Sequence, residues 1–92
     1  FGEAVALMKT CPNVYADISA AHYLFDDEKK IEKIRDTIGF DRVLFATDYP
    51  GPLYYGFSLA SMVRQMKANP FLVQGEKAAI LGQNAKKLLG IN

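Results

Sequence analysis

Cysteine and histidine each occur once in the 92 residues, at Cys11 and His22. A single cysteine excludes an internal disulfide and any cysteine metal cluster. Cys11 reads as a small buried hydrophobe beside Pro12, and it points to a reducing compartment, with a cytoplasmic location expected. The sequence starts at Phe1 without Met, so an upstream targeting segment is left open. No apolar run approaches the roughly 18–20 residues of a membrane span. Neither sign of charge is in excess: the formal net charge is +1, which gives no footprint for nucleic acid or a membrane surface. Internal repeats, low-complexity runs and linkers are all missing.

What is present is an ordinary globular composition, half apolar and 23% charged. Phe1 to Lys9 carries Val5, Leu7 and Met8 and is compatible with a helix, ended by Thr10-Cys11-Pro12-Asn13. Val14 to Ser19 alternates, with Val14, Ala16 and Ile18 on one face and Tyr15, Asp17 and Ser19 on the other. Ala20 to Asp27 reads as a loop containing His22, Tyr23 and Phe25. Asp26 or Asp27 then caps a helix whose apolar stripe is Ile31, Ile34 and Ile38, closed by Gly39.

The chain is organised around Ile38 to Pro52. Val43-Leu44-Phe45-Ala46 is an apolar run without charge, the pattern of a strand buried on both faces. It stops at Thr47-Asp48, and Pro50 pushes Tyr49 towards an extended conformation. A carboxylate therefore stands at the C-terminal end of a buried strand, the end of an α/β sheet where chemistry sits. Tyr49 to Gly56 follows as a loop, and Leu59, Met62, Val63 and Met66 make a helical stripe ended by Asn69-Pro70. A short helix from Gly75 to Leu81 is expected to break at Gly82, with Asn84 capping a last turn that stops at Gly90. Alternating helices and strands imply parallel pairing through a right-handed crossover. Two strands alone leave two open edges.

Gly39-Phe40-Asp41-Arg42-Val43-Leu44-Phe45-Ala46-Thr47-Asp48-Tyr49-Pro50 resembles the last-strand motif of the amidohydrolase-related branch of the amidohydrolase superfamily. Pro12 to Ser19 resembles the strand before it, and Gly82 to Gly90 the closing helix. The three matches fall in the family's order and cover nearly the whole chain. The resemblance implies an α/β fold forming the C-terminal quarter or so of a (β/α)₈ TIM barrel, with residues 1–92 as one incomplete piece, since a whole barrel needs about 250 residues. It also implies that Tyr15, Asp17 and Ser19 line the barrel interior.

In that family the residue matching Asp48 binds or adjoins a divalent metal and shuttles a proton from metal-bound water. Asp48 is accordingly the expected catalytic residue and metal ligand of a metal-dependent hydrolase, zinc being the expected ion. Taken without the resemblance, the same residue reads first as a turn-former or a helix cap, and only second as a functional group. The family's His ligands would lie upstream, and His22 falls where the pattern supplies none, so it reads as a loop residue near substrate. Asp17 and Ser19 read as a hydrogen-bonded polar layer, Tyr49 as packing beside the centre, and Lys86 and Lys87 as solvated helix surface. Many relatives have Gly-Ser where this chain has Ala46-Thr47, which leaves hydrolysis and decarboxylation both open.

One carboxylate cannot hold a catalytic zinc, which takes three protein ligands. The isolated chain is therefore expected to be inactive and to bind metal weakly. Its partners would be a small-molecule substrate in the parent enzyme, and a second copy or the rest of the barrel along the open edges. A non-catalytic, self-associating α/β module is the competing reading, and a family decarboxylase is a further alternative.

Overall fold

The computed structural model describes residues 1–19 and 21–91. Helix α1 covers Gly2–Thr10, strand β1 Ala16–Asp17, helix α2 Glu28–Thr37 and strand β2 Val43–Leu44. Helix α3 covers Leu59–Ala68 and α4 Gln74–Ala78, and a π-helical turn at Ala79–Gln83 leads into α5, Asn84–Leu89. Two 3₁₀ turns, His22–Asp26 and Gly51–Tyr55, occupy segments that the sequence presents as loops. Both follow a strand exit, and both let the chain reverse within one tight turn.

The strands pair in parallel, Ala16 opposite Val43 and Asp17 opposite Leu44, with α2 in the connection between them. This is the expected α/β unit. The regular pairing is shorter than Val14–Ser19 and Val43–Ala46, although hydrogen bonds from Ala16 N to Arg42 O (2.9 Å) and Ile18 N to Leu44 O (3.1 Å) extend it. The alternation along β1 holds. Ile18 is buried on the helix side, while Tyr15 and Asp17 are exposed on the other. Along Val43–Ala46 only Val43 is fully buried; Leu44, Phe45 and Ala46 are half-buried. The expectation of burial on both faces therefore fails, because among the described residues helices cover one face of the sheet.

The core joins Val5, Ile18, Phe25, Ile31, Ile34, Phe40, Val43, Met66, Leu72 and Ile80. Ile31 and Ile80 are essentially sealed from solvent, and burying such a side chain contributes about 1.5–3 kcal/mol each. Asp27 is the cap of α2, its carboxylate accepting from Lys29 N and Lys30 N. Gly39 adopts φ +69° and sends its N–H back to Ile34 O, which ends the helix as the sequence indicates. Ser58 and Ser61 form a reciprocal capping box at the start of α3. Met62 and Met66 are the buried stripe of α3, whereas Leu59 is exposed.

Three expectations need correction. Cys11 is half-exposed, because its position at the C-cap of α1 turns it towards the surface. Gly82 does not break the last helix; the π turn carries the backbone through it. Asn84 is not a cap, since its backbone is helical (φ −63°, ψ −44°) where a cap residue is extended. Its side chain is buried and donates from Nδ2 to Phe40 O (2.6 Å) and Val43 O (2.8 Å). A π turn leaves a carbonyl outside the regular helical ladder, and Ile80 O accepts the Phe45 N–H at 3.0 Å. The outer edge of β2 is thereby satisfied by the last helix.

Arg42 performs a similar service at the strand entry. Its guanidinium donates to Met8 O (2.7 Å), Cys11 O (2.9 Å) and Val14 O (3.0 Å), joining the end of α1 to the approach of β1. Arg35 and Glu76 form a bidentate pair between α2 and α4, with Nε–Oε2 2.7 Å and Nη2–Oε1 2.8 Å. No helix among the described residues is long and apolar enough to cross a membrane.

Candidate functional site

The strand exits bring Ser19, His22, Thr47 and Asp48 around one cavity. The described backbone pairing of the strands reaches Leu44 O, and two residues on the Ala46 carbonyl accepts from a side chain: His22 Nε2 lies 2.6 Å from Ala46 O. A carbonyl only accepts, so Nε2 carries the hydrogen. The imidazole also meets the Phe45 ring edge-to-face at 5.3 Å.

Asp48 follows two residues later with φ +58°, the left-handed region, which Asp tolerates better than most side chains. Its carbonyl accepts from Gly51 N at 2.8 Å, closing the turn expected there. A Cβ at residue 51 would sit 3.4 Å from Asp48 Oδ2, so Gly51 packs directly against the carboxylate. Asp48 is exposed, and the one ion pair among the described residues, Arg35–Glu76, lies elsewhere. The carboxylate is thus an unneutralised acceptor at the strand exit.

Asp48 shares a cavity of about 450 Å³ with Ser19, His22, Thr47, Tyr55 and Phe57. No lysine or arginine lines it. A cleft of about 530 Å³ beside Gln83, Lys86 and Lys87 is larger, yet no carboxylate or imidazole lines it. The smaller cavity is the one of the two that brings a carboxylate and an imidazole together. Lys86 and Lys87 are exposed, as expected.

Asp17 stands on the exposed face of β1 and accepts from Ser19 N at 2.7 Å. Ser19, through its hydroxyl and its backbone, holds the Asp17 carboxyl below its ordinary pKa, and the nearby His22 adds to the shift. The polar layer of Asp17 and Ser19 is thus local hydrogen bonding beside the cavity, and only Ser19 of the pair lines it. Tyr49 is exposed and donates its N–H to Thr47 Oγ1 at 3.3 Å.

Sequence reasoning assigned His22 to a loop near substrate and missed its bond to Ala46. Nothing in a sequence pairs two positions 24 apart through a side chain and a carbonyl. Tyr55 and Phe57 were also missed as cavity walls, although the aromatic run Tyr54-Tyr55-Gly56-Phe57 after a candidate acid was a usable signal.

The fit to a metal is partial. Among the described residues no three His, Cys, Asp or Glu side chains come together as a ligand set. Asp48 and His22 share the cavity, but the Nε2 of His22 is already committed to Ala46. These residues do not make a complete metal centre by themselves.

Neither curated proteins nor solved structures gave a match to the chain. A family model described as Amidohydrolase matches residues 1–91. Members of this family typically bind a divalent metal, and membership supports a metal-dependent, hydrolase-like function in general. The helices and two parallel strands are compatible with part of an amidohydrolase barrel. With a match across essentially its whole length, joined to a carboxylate at the exit of its last strand, the chain belongs to the amidohydrolase family.

Proposed function

We propose that this chain forms the C-terminal part of a TIM-barrel hydrolase and supplies Asp48 as its acid/base residue. One observation carries the reading: Asp48 leaves the C-terminal end of β2 in a left-handed conformation, its carboxylate exposed and free of any ion pair among the described residues. Unusual backbone conformations of this kind concentrate at functional sites, and strand C-termini are where barrel enzymes place catalytic groups. Asp48 takes a proton from the attacking water and later returns it to the leaving group. It also contributes one carboxylate to a divalent-metal site, zinc in this reading, whose other ligands lie outside this chain. The open edge of β1 associates with the rest of the barrel or a second copy, and the lone Cys11 suits a cytoplasmic setting.

Asp48→Asn, made in the full protein that carries this chain, keeps the size of the side chain and removes its basic oxygen. Turnover should fall on the order of 10²–10⁴-fold, the contribution of a positioned acid/base group. Melting temperature should hardly move, since the side chain packs in no core. Near-normal kcat in the folded variant, or a large fall in stability, assigns Asp48 to the turn alone.

A further inference from the structure

We infer that His22 is a positioning residue for Asp48, an inference that rests on the acid/base role just proposed. His22 opens a 3₁₀ turn that is itself anchored. Phe25 in that turn is buried in the core, and its carbonyl accepts from the buried Asn69 Nδ2 at 2.7 Å. The imidazole therefore projects from a fixed base. Its Nε2–H reaches Ala46 O at 2.6 Å, and Phe45 packs against its ring.

The placement matters because of where Ala46 sits along the strand. Among the described residues, Ile18 N to Leu44 O is the last rung between the two strands. Ala46 O lies two residues further along β2's extension, and the imidazole donates to it there. Two residues on, the Asp48 carbonyl is tied to Gly51 N. The segment carrying the carboxylate is thus pinned at both ends, by a side chain from the other strand's exit and by its own turn. Without His22 the nearest upstream anchor is the Phe45 N–H bond to Ile80 O, and Ala46-Thr47-Asp48 is left to hinge from Phe45. A misplacement of about 1 Å at a reacting group costs on the order of 10²-fold in rate, so one hydrogen bond at this point governs how well Asp48 meets its proton.

Two measurements test this. The first is amide hydrogen exchange by NMR in the chain itself. His22→Ala should speed exchange at Gly51, whose N–H reports the Asp48 turn, by about tenfold. The Ile31 amide, bonded to Asp27 O in α2, should stay within about twofold. His22→Gln, which keeps an N–H donor, should recover most of the protection. Unchanged Gly51 exchange, or equal acceleration at Gly51 and Ile31, overturns the inference.

The second is a double-mutant cycle on turnover in the full protein, with the chromogenic ester 4-nitrophenyl acetate as probe. His22→Ala should lower kcat about 10–100-fold with little change in KM, and add nothing in an Asp48→Asn background. Losses that multiply would show that His22 acts independently and would end the positioning role while leaving Asp48 in place. Undiminished kcat in Asp48→Asn alone removes the acid/base role, and the exchange data then decide the pinning separately.

Discussion

The two ends of the sheet are built on opposite terms. Where the strands begin, Arg42 gives three hydrogen bonds and Asn84 two, all to backbone carbonyls of α1, the strand approaches and β2. Where the strands finish, one imidazole gives one hydrogen bond, and Asp48, Tyr49, Leu53, Tyr54 and Tyr55 stand exposed. The entry end spends its polar side chains on closing the backbone. The exit end leaves a carboxylate and aromatic rings unspent. In barrel proteins the corresponding division separates stability from chemistry; in this chain the same asymmetry of polar side chains is drawn within two short strands.

The comparison breaks most directly at Asn84. Asn84→Leu keeps the volume but strips the side-chain donor from Val43 O in a buried setting and leaves Phe40 O only the Val43 N–H at 3.3 Å. One orphaned carbonyl at about 1–3 kcal/mol plus one lost hydrogen bond at about 1 kcal/mol gives an expected loss of about 2–4 kcal/mol, read from the midpoint of urea unfolding. A loss below about 0.5 kcal/mol, the level of an ordinary surface change, would mean that the entry end does not rest on this amide.

Arg42→Met comes next. The stem remains, but three carbonyls lose a charged donor. Arg42 is half-exposed, so water recovers part of the loss, and a decrease of about 2 kcal/mol is expected. An Arg42→Lys variant should recover only a fraction, because an ammonium lacks the planar fork that reaches three acceptors at once.

The smallest effect is the dependence on pH, and it lies away from both ends. The Arg35 guanidinium, by hydrogen bonding to Glu76, holds that carboxyl below its ordinary pKa; burial works in the opposite direction and the Val73 N–H adds to the lowering. A folded-state pKa below the unfolded one means stability that is fully present above the ordinary carboxylate value. That stability drains away as pH falls through the folded-state value. Melting temperature should therefore decline between about pH 5 and pH 3, and Glu76→Gln should flatten that decline while lowering the plateau near neutrality. Asp17, shifted the same way by Ser19, contributes in the same direction.

The local signals in the sequence were sufficient wherever a residue acts on its neighbours. Asp27 caps α2, Gly39 ends it, and the alternation of Val14 to Ser19 sorts buried from exposed. Asp48 at the strand exit was legible for the same reason, as an apolar run stopping at a carboxylate before Pro50. Side chains that serve distant backbone were illegible. Arg42 looked like a polar entry turn, His22 a loop residue and Asn84 a cap, because hydrogen bonds across 24 to 44 positions leave no periodic trace. Gly82 misled in the other direction. A glycine usually weakens a helix, but the wider π turn absorbs it.

That π turn also sets the phase of everything after it. A regular α-helix advances about 100° per residue, so one residue more or less in a turn rotates all later side chains by that angle. Glu76 and Lys77 precede the wide turn and face Arg35 and the end of α3, where Lys77 Nζ meets Lys67 O at 2.7 Å. Asn84 follows it and faces the strand. The final helix is in effect two helices with different clocks, and the offset between them lets a single rod grip two neighbours that lie in different directions.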